Sequence, residues 1–103
     1  CFSSDHEEML GDHNLRGKFV PWQGSVSAPL ICAGPGMQKG AVVERPVSTM
    51  DLAATFLDYA NIPITTDPKM TSRSLRTRLK TGVDDDYRSF VSSGLQNMPF
   101  GTP

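Results

Sequence analysis

The hydrophobic pattern along this 103-residue chain is patchy, with one segment of clear helical period and several short apolar runs between long polar stretches. In "VSTMDLAATFLDYAN", Met50, Ala53, Ala54, Leu57 and Ala60 recur at helical spacing, and Phe56 and Tyr59 widen that face. Ser48 can cap this helix, with Asp51 three residues on in place of the usual capping-box Glu. Asn61 suits the left-handed position after its last turn, and Pro63 blocks continuation. A second, basic helix is predicted in "SRSLRTRLKT" (72–81), with Leu75 and Leu79 as its buried stripe and Gly82 as its stop. Short apolar runs predict strands at Cys1 to Ser4 and at Pro29 to Ala33, the latter closed by Gly34-Pro35-Gly36. Ala41 to Val43 reads as another extended piece, and Tyr87 to Ser92 as a last strand. Val20 to Ser27 suits a short helix or turn, and Thr65 to Thr71 a loop.

Between the first strand and residue 19 the pattern stops. Asp5 to Phe19 is polar and punctuated by Gly11 and Gly17, which predicts a long loop. Loops of about fifteen residues are uncommon inside compact domains and usually carry function. The order strand, long loop, strand, helix, helix, strand fits part of an α/β sheet with site residues beyond a strand's C-terminal end.

Composition narrows the class. The length allows one small domain, and 38% apolar residues fall below the roughly 45–50% of self-sufficient globular domains, so the core should be modest. A net charge of −1 provides no bulk attraction to nucleic acid or anionic membranes, and no apolar run approaches the ~20 residues of a membrane span. The chain begins on Cys1-Phe2, without an initiator Met or a signal-peptide pattern. We expect a fragment or processed piece of a longer protein. Cys1 and Cys32 have no metal-ligand spacing and read as small buried hydrophobes rather than a disulfide, which leaves the redox compartment open.

The chemistry concentrates in Ser4 to Lys18. Asp5 and His6 follow the first strand, and where a strand leaves its sheet both side chains can converge on one point. A carboxylate and an imidazole are metal ligands; otherwise Asp5 caps a turn and His6 lies on the surface. Two ligands are not a site, since calcium takes ~6–8 oxygens and zinc ~4 donors. Lys18 on the same loop suggests an anion bridging cation and ammonium: phosphate, sulfate or carboxylate. The alternative, commoner for any single lysine, is an ordinary solvated side chain. His13 can bond a substrate or donate a proton to a leaving group, or bond only to backbone. Glu7 and Glu8 read as solvated charges.

The stretch "SSDHEEMLGDHNLRGKFVPWQGSVSAPLICAGPG" resembles the sulfatase family of the alkaline-phosphatase superfamily, whose members carry a segment close to S-D-H-G-E-x-x-G-x-H-x-L-x-x-K, an aromatic-acid-Gly-Ser patch, V-P-L-I and G-P-G. "VVERPVSTMDLAATFLDYANI" resembles the family's V-S-x-x-D-L-A-P-T-x-L-x-L-A-G-I, and "SRSLRTRLKTG" its G-x-S-L-x-P-L-L-x-G. The likeness runs from Phe2 to Gly82, with weaker support to Ser93.

The resemblance implies an α/β fold: the C-terminal portion of an alkaline-phosphatase-like catalytic domain, with a few strands and two or three helices. Residues 1–82 would belong to that domain, and 83–103 would begin the strand-containing region that follows. Asp5 and His6 match the family's second pair of ligands for a divalent cation, usually calcium. Lys18 matches the lysine that contacts the sulfate, and His13 a histidine near the substrate. The family's nucleophile is a formylglycine from an upstream C-x-P/A-x-R motif, which neither cysteine here fits, so the implied activity is sulfate-ester hydrolysis by a parent protein and none by this chain alone. The implied substrates are sulfated small molecules or carbohydrates, and the implied location is periplasmic or extracellular. Two other readings stand beside it: a phosphatase or phosphodiesterase of the same superfamily, and a non-catalytic fragment that self-associates and binds anions or metal weakly. Three positions depart from the family pattern. Glu7 replaces Gly, at a cost of about 1–2 kcal/mol if φ there is positive; Gln23 replaces an acid; Ala54 replaces Pro.

Overall fold

A computed structural model of the chain describes residues 1–64, 71–83 and 88–92. The first strand, β1 (Phe2–Ser3), pairs antiparallel with β2 (Leu30–Ile31), with Phe2 opposite Ile31 and Ser3 opposite Leu30. Helix α1 (Gln23–Val26) lies between them, and α2 (Asp51–Tyr59) and α3 (Arg76–Thr81) follow. Two strands and three helices are compatible with part of an α/β fold.

The pairing of β1 with β2 is locked covalently. Cys1 and Cys32 form a disulfide with Cα atoms 4.1 Å apart, continuing the register one pair beyond Phe2 and Ile31. This corrects the reading of the two cysteines as separate buried hydrophobes. They are 31 residues apart in sequence, and nothing in their spacing shows that they face each other across a ladder. In the chain-entropy account a cross-link of that span stabilises by roughly 3–4 kcal/mol.

Helix α2 is the best-defined element, and its ends form as the sequence predicts. The Ser48 N–H donates to Asp51 Oδ2 at 2.9 Å, and Met50 N–H donates to Ser48 Oγ at 3.3 Å. At the other end Asn61 adopts φ 54°, its N–H donates to the Asp58 carbonyl at 3.1 Å, and Ile62 N–H donates to the Leu57 carbonyl at 2.9 Å. That pair of bonds is a Schellman closure. Helix α3 begins later than predicted, at Arg76, and ends at Gly82 with φ 66°. A Cβ at Gly82 would come within 3.0–3.1 Å of Gln38 and Ala41, so both the backbone conformation and the packing favour glycine there.

The face that α2 buries differs from the predicted one. Asp51, Ala54 and Thr55 are buried and Asp58 half-buried, whereas Met50 and Phe56 are more than half exposed (56% and 55%) and Ala53 and Ala60 are also open. The period is helical, but the buried stripe is rotated one residue, about 100°, from the apolar one. The reason is polar: residues 72–76 run along α2 and hydrogen-bond to it at each step. Ala54 N–H donates to Ser72 Oγ at 3.1 Å, and Ser72 Oγ donates to the Met50 carbonyl at 2.6 Å. Arg73 N–H donates to Asp51 Oδ1, and Leu75 N–H to Thr55 Oγ1, both at 2.9 Å. Arg76 and the Ser74 hydroxyl both donate to the Asp58 carboxylate, at 2.8 and 2.6 Å. Ala54 stands where the family pattern has Pro; its N–H, which proline lacks, is satisfied by Ser72.

Asp51 is fully buried and anchors the chain's far end. Arg88 donates from Nη1 to Oδ2 at 2.8 Å and from Nη2 to Oδ1 at 3.1 Å, and reaches the Thr71 carbonyl at 3.2 Å. The predicted strand at Tyr87 to Ser92 is not formed over 88–92; this segment is held by the Arg88 fork rather than by a ladder, and Tyr87 lies outside the described residues. Ala41 to Val43 likewise forms no ladder, and of the predicted loop 65–71 only Thr71 is described. Among the described residues the buried apolar set is Met9, Ala54 and Leu75. Leu79 of the predicted stripe is half-buried, and Arg78 beside it is buried.

This packing can be tested at two carboxylates. Asp51→Ala should cost about 3–5 kcal/mol, the usual penalty for stranding one partner of a buried ion pair; against a total of about 5–15 kcal/mol, urea denaturation should show partial or complete unfolding in buffer. The other test concerns acid. The Ser74 hydroxyl foremost, then the Arg76 hydrogen bond, hold the Asp58 carboxyl below its ordinary value of 3.8, against the opposing effect of desolvation. A depressed folded-state pKa contributes stability above the ordinary value and loses it as pH falls through the lower folded value. The stability gap between the chain and Asp58→Asn should be open above pH 3.8 and close on further acidification, as read by urea midpoints.

Candidate functional site

The loop after β1 folds back on itself around Met9. Its N–H donates to the Gly17 carbonyl at 2.9 Å, which closes the loop neck, and its side chain is buried against the Gly24 backbone of α1. Glu7 N–H donates to the Ser25 carbonyl at 3.1 Å, docking the first arm on α1. Inside the neck, Asp12 N–H bonds to Met9 and Gly11 N–H to Leu15, both at 2.8 Å. Leu10, Gly11, His13, Asn14, Gly17 and Phe19 all have positive φ. Left-handed conformations at non-glycine residues are held only where the surroundings over-determine them, and they gather at functional sites. Glu7, at the family's glycine position, is not one of them, so the strain considered for that substitution does not arise.

Closing the neck carries Lys18 back to the residues beyond β1. Its Nζ lies 2.5 Å from His6 Nε2, and Asp5 Oδ2 lies 3.4 Å from that same nitrogen. The other ring nitrogen, Nδ1, is 3.1 Å from the Glu7 carbonyl. A carbonyl only accepts, so Nδ1 carries the proton and the lone pair of neutral His6 is on Nε2, facing Lys18 and Asp5. The Ser4 hydroxyl donates to the His6 carbonyl at 2.7 Å and His6 N–H to Asp5 Oδ1 at 3.1 Å, which fixes the turn presenting both side chains. Desolvation raises the Asp5 pKa, but the charge of His6 when protonated, the backbone N–H groups of Asp5 and His6 and the Lys18 ammonium outweigh it, and the net shift is downward. The carboxylate is thus kept ionised.

Asp5, His6 and Lys18 line one open cavity of about 930 Å³. Phe19, Val20 and Pro21 from the loop, Val26, Ala28 and Leu30 around α1 and β2, Val47 to Met50 before α2, and Val91 and Ser92 complete its wall. His13 is not in that wall; its ring stacks on Trp22 at 4.2 Å between centroids, 22° from parallel. Trp22, Val91 and Ser92 are functional candidates that the sequence pattern alone does not single out. Trp22 has a signal in the aromatic patch, but Val91 and Ser92 follow the Arg88 anchor into the cavity, and no local pattern reveals that.

The donor set can be tested against a divalent cation. An ionised carboxylate and an imidazole lone pair face a common point, as a cation requires, and they supply two donors. Among the described residues no cluster of three or more His, Cys, Asp or Glu side chains is suited to hold a metal ion. Two donors do not make a metal site by themselves, and the Lys18 ammonium lies beside them.

A family model described as Sulfatase matches residues 1–62. The arylsulfatase of Clostridium perfringens is 39% identical over 67 residues, covering 61% of this chain and 14% of the relative. The extracellular sulfatase SULF-1 homolog of Drosophila melanogaster is 40% identical over 75 residues, 72% of this chain and 7% of the relative. Arylsulfatase K of Mus musculus is 36% identical over 78 residues, 76% of this chain and 14% of the relative. The chain spans only 7–14% of the length of these relatives, and no solved structure matches it. The match includes β1, the loop that carries Asp5, His6 and Lys18, and α2, and the chain belongs to the sulfatase family.

Proposed function

We propose that this chain is the part of a sulfate-ester hydrolase that supplies the second half of its cation site and its sulfate-binding lysine. The observation that carries the reading is the meeting of Asp5, His6 and Lys18 at one wall of one cavity. Asp5 and His6 Nε2 would hold a divalent cation, calcium by family likeness, together with acids outside this chain. The cation and an upstream formylglycine would supply, when present, charge neutralisation and the nucleophile for sulfuryl transfer.

The remaining work falls to this chain's own side chains. Lys18 exchanges its contact with His6 for a sulfuryl oxygen when the anion enters, because an ammonium binds an anion more strongly than a neutral imidazole. Held by the Met9–Gly17 neck, it acts as a preorganised donor for charge that grows on the sulfuryl oxygens in the transition state. The His6 Nδ1–H bond to Glu7 keeps Nε2 free of a proton and aimed at the cation. His13, stacked on Trp22, sits on the same strained loop, and a role at its rim would pass through that ring pair.

The substrates that fit this reading are sulfated small molecules or carbohydrates. A periplasmic or extracellular setting is supported by the Cys1–Cys32 disulfide, which persists in oxidising compartments. No described helix is long and apolar enough to cross a membrane.

Two outcomes test the reading. The purified 103-residue chain should not turn over an aryl sulfate, calcium present or not; turnover would place a nucleophile within it. In the full-length protein, hydrolysis of an aryl sulfate should exceed that of the matching phosphate ester, and Lys18→Ala should lower kcat/KM by about 10²–10³, the usual loss of one transition-state donor. Equal or greater phosphatase activity, or an unaffected Lys18→Ala variant, would overturn it.

A further inference from the structure

The Arg88–Asp51 pair has a second consequence beyond stability. Asp51 begins α2 and is fully buried, so the Arg88 guanidinium is fixed in two directions by its fork and in a third by the Thr71 carbonyl. A bidentate carboxylate pair sets orientation as well as position. The backbone leaving Arg88 is thereby aimed across the start of α2, and three and four residues later Val91 and Ser92 reach the cavity that holds Asp5, His6 and Lys18. Residues 88–92 form no ladder, and the fork is a fixed contact that helps to place them.

The cavity wall is divided chemically. Asp5 and Lys18 carry its formal charges, with the His6 imidazole between them, beside β1 and the loop neck. The side formed by Val91, Met50 and Val47 is apolar, with the hydroxyls of Ser92, Ser48 and Thr49 interspersed. Val91 is 38% exposed and Met50 56%, which leaves their side chains open to a bound molecule. A sulfate group alone would use only the charged side.

We infer that Val91 and Ser92 form a specificity wall for the alcohol portion of the ester, a ring with an apolar face and hydroxyl substituents, and that Arg88 is the positioning residue for that wall. This rests on the sulfate-ester reading of the same cavity. Val91 takes the ring face against Met50, and the Ser92 hydroxyl bonds a ring substituent. Neither touches the sulfuryl group. Because the wall is built from residues far in sequence from Asp5, His6 and Lys18, it can vary in shape while the charged side stays fixed.

The test uses the full-length enzyme, with 4-nitrophenyl sulfate as substrate and inorganic sulfate as competitive inhibitor. Val91→Ala should raise KM roughly fivefold, as expected when one face of the ring is less fully shielded from water, with kcat and the inhibition constant of sulfate unchanged. Val91→Trp, which fills the space, should raise KM about tenfold or more with sulfate inhibition again intact. Arg88→Lys, which keeps the charge but not the fork, should raise KM in the same way in a protein still folded by thermal melt. Sulfate inhibition retained with KM unmoved in both Val91 variants would overturn the wall assignment alone. Absence of sulfate inhibition in the unaltered enzyme would instead sink the sulfate-ester reading, and the wall with it.

Discussion

The buried carboxylate of Asp51 organises the C-terminal half of the chain. Its two oxygens accept four hydrogen bonds, two on each: from the Ser48 and Arg73 backbone and from both arms of Arg88. An ionised group with no solvent exposure is tolerable only when its lone pairs are matched in this way. Meeting that requirement ties together the start of α2, the extended run into α3 and the terminal segment, three pieces that share little apolar packing. The chain thus uses directional polar bonds where a larger domain would use a core. With Met9, Ala54 and Leu75 as the buried apolar residues of the described structure, the hydrophobic contribution is small and the geometry is set by donors and acceptors.

The same logic explains which parts of the fold are legible in the sequence. Helix ends are encoded locally: the Ser48–Asp51 start, the Asn61 closure and the Gly82 stop each depend on a few adjacent residues, and each forms where the sequence places it. The buried face of α2 is not local. Apolar spacing selects Met50, Ala53, Ala54, Leu57 and Ala60, but the neighbour that arrives is the polar run Ser72 to Arg76, and of these it buries Ala54, together with Asp51 and Thr55, and half-buries Asp58. The exposed Met50 and Phe56, with the cross-strand pair Phe2 and Ile31 at 66% and 64% exposure, form apolar surface that these polar bonds leave uncovered. That pattern accords with a chain spanning a small fraction of its relatives' length. The disulfide is hidden from the sequence for a related reason. Two cysteines 31 residues apart become neighbours only through the β1–β2 register.

The site divides along the same line. Asp5 and His6 are adjacent in sequence, and Lys18 lies on the same loop, so their residue types and order suggest a cation with an anion. What the sequence does not supply is the means of their meeting, which is the neck bond from Met9 to Gly17 over a buried methionine. His13 belongs to the same motif but is turned by its left-handed backbone onto Trp22. A motif fixes which residues travel together; the sign of φ at single positions decides which of them face the same point.

Lys18 and His6 together also bear on how the loop holds its charges. Asp5 and a lone pair of His6 converge on a spot that would otherwise hold concentrated negative potential. The Lys18 ammonium lies against that spot and offsets it. The proton on Nδ1 is held by the Glu7 carbonyl, which leaves the Nε2 lone pair to Lys18. A lysine can hold or leave such a contact at low cost, because its stem is mobile. The two ends of the loop, Asp5-His6 and Lys18, are thus coupled through a single hydrogen bond over the Met9–Gly17 neck.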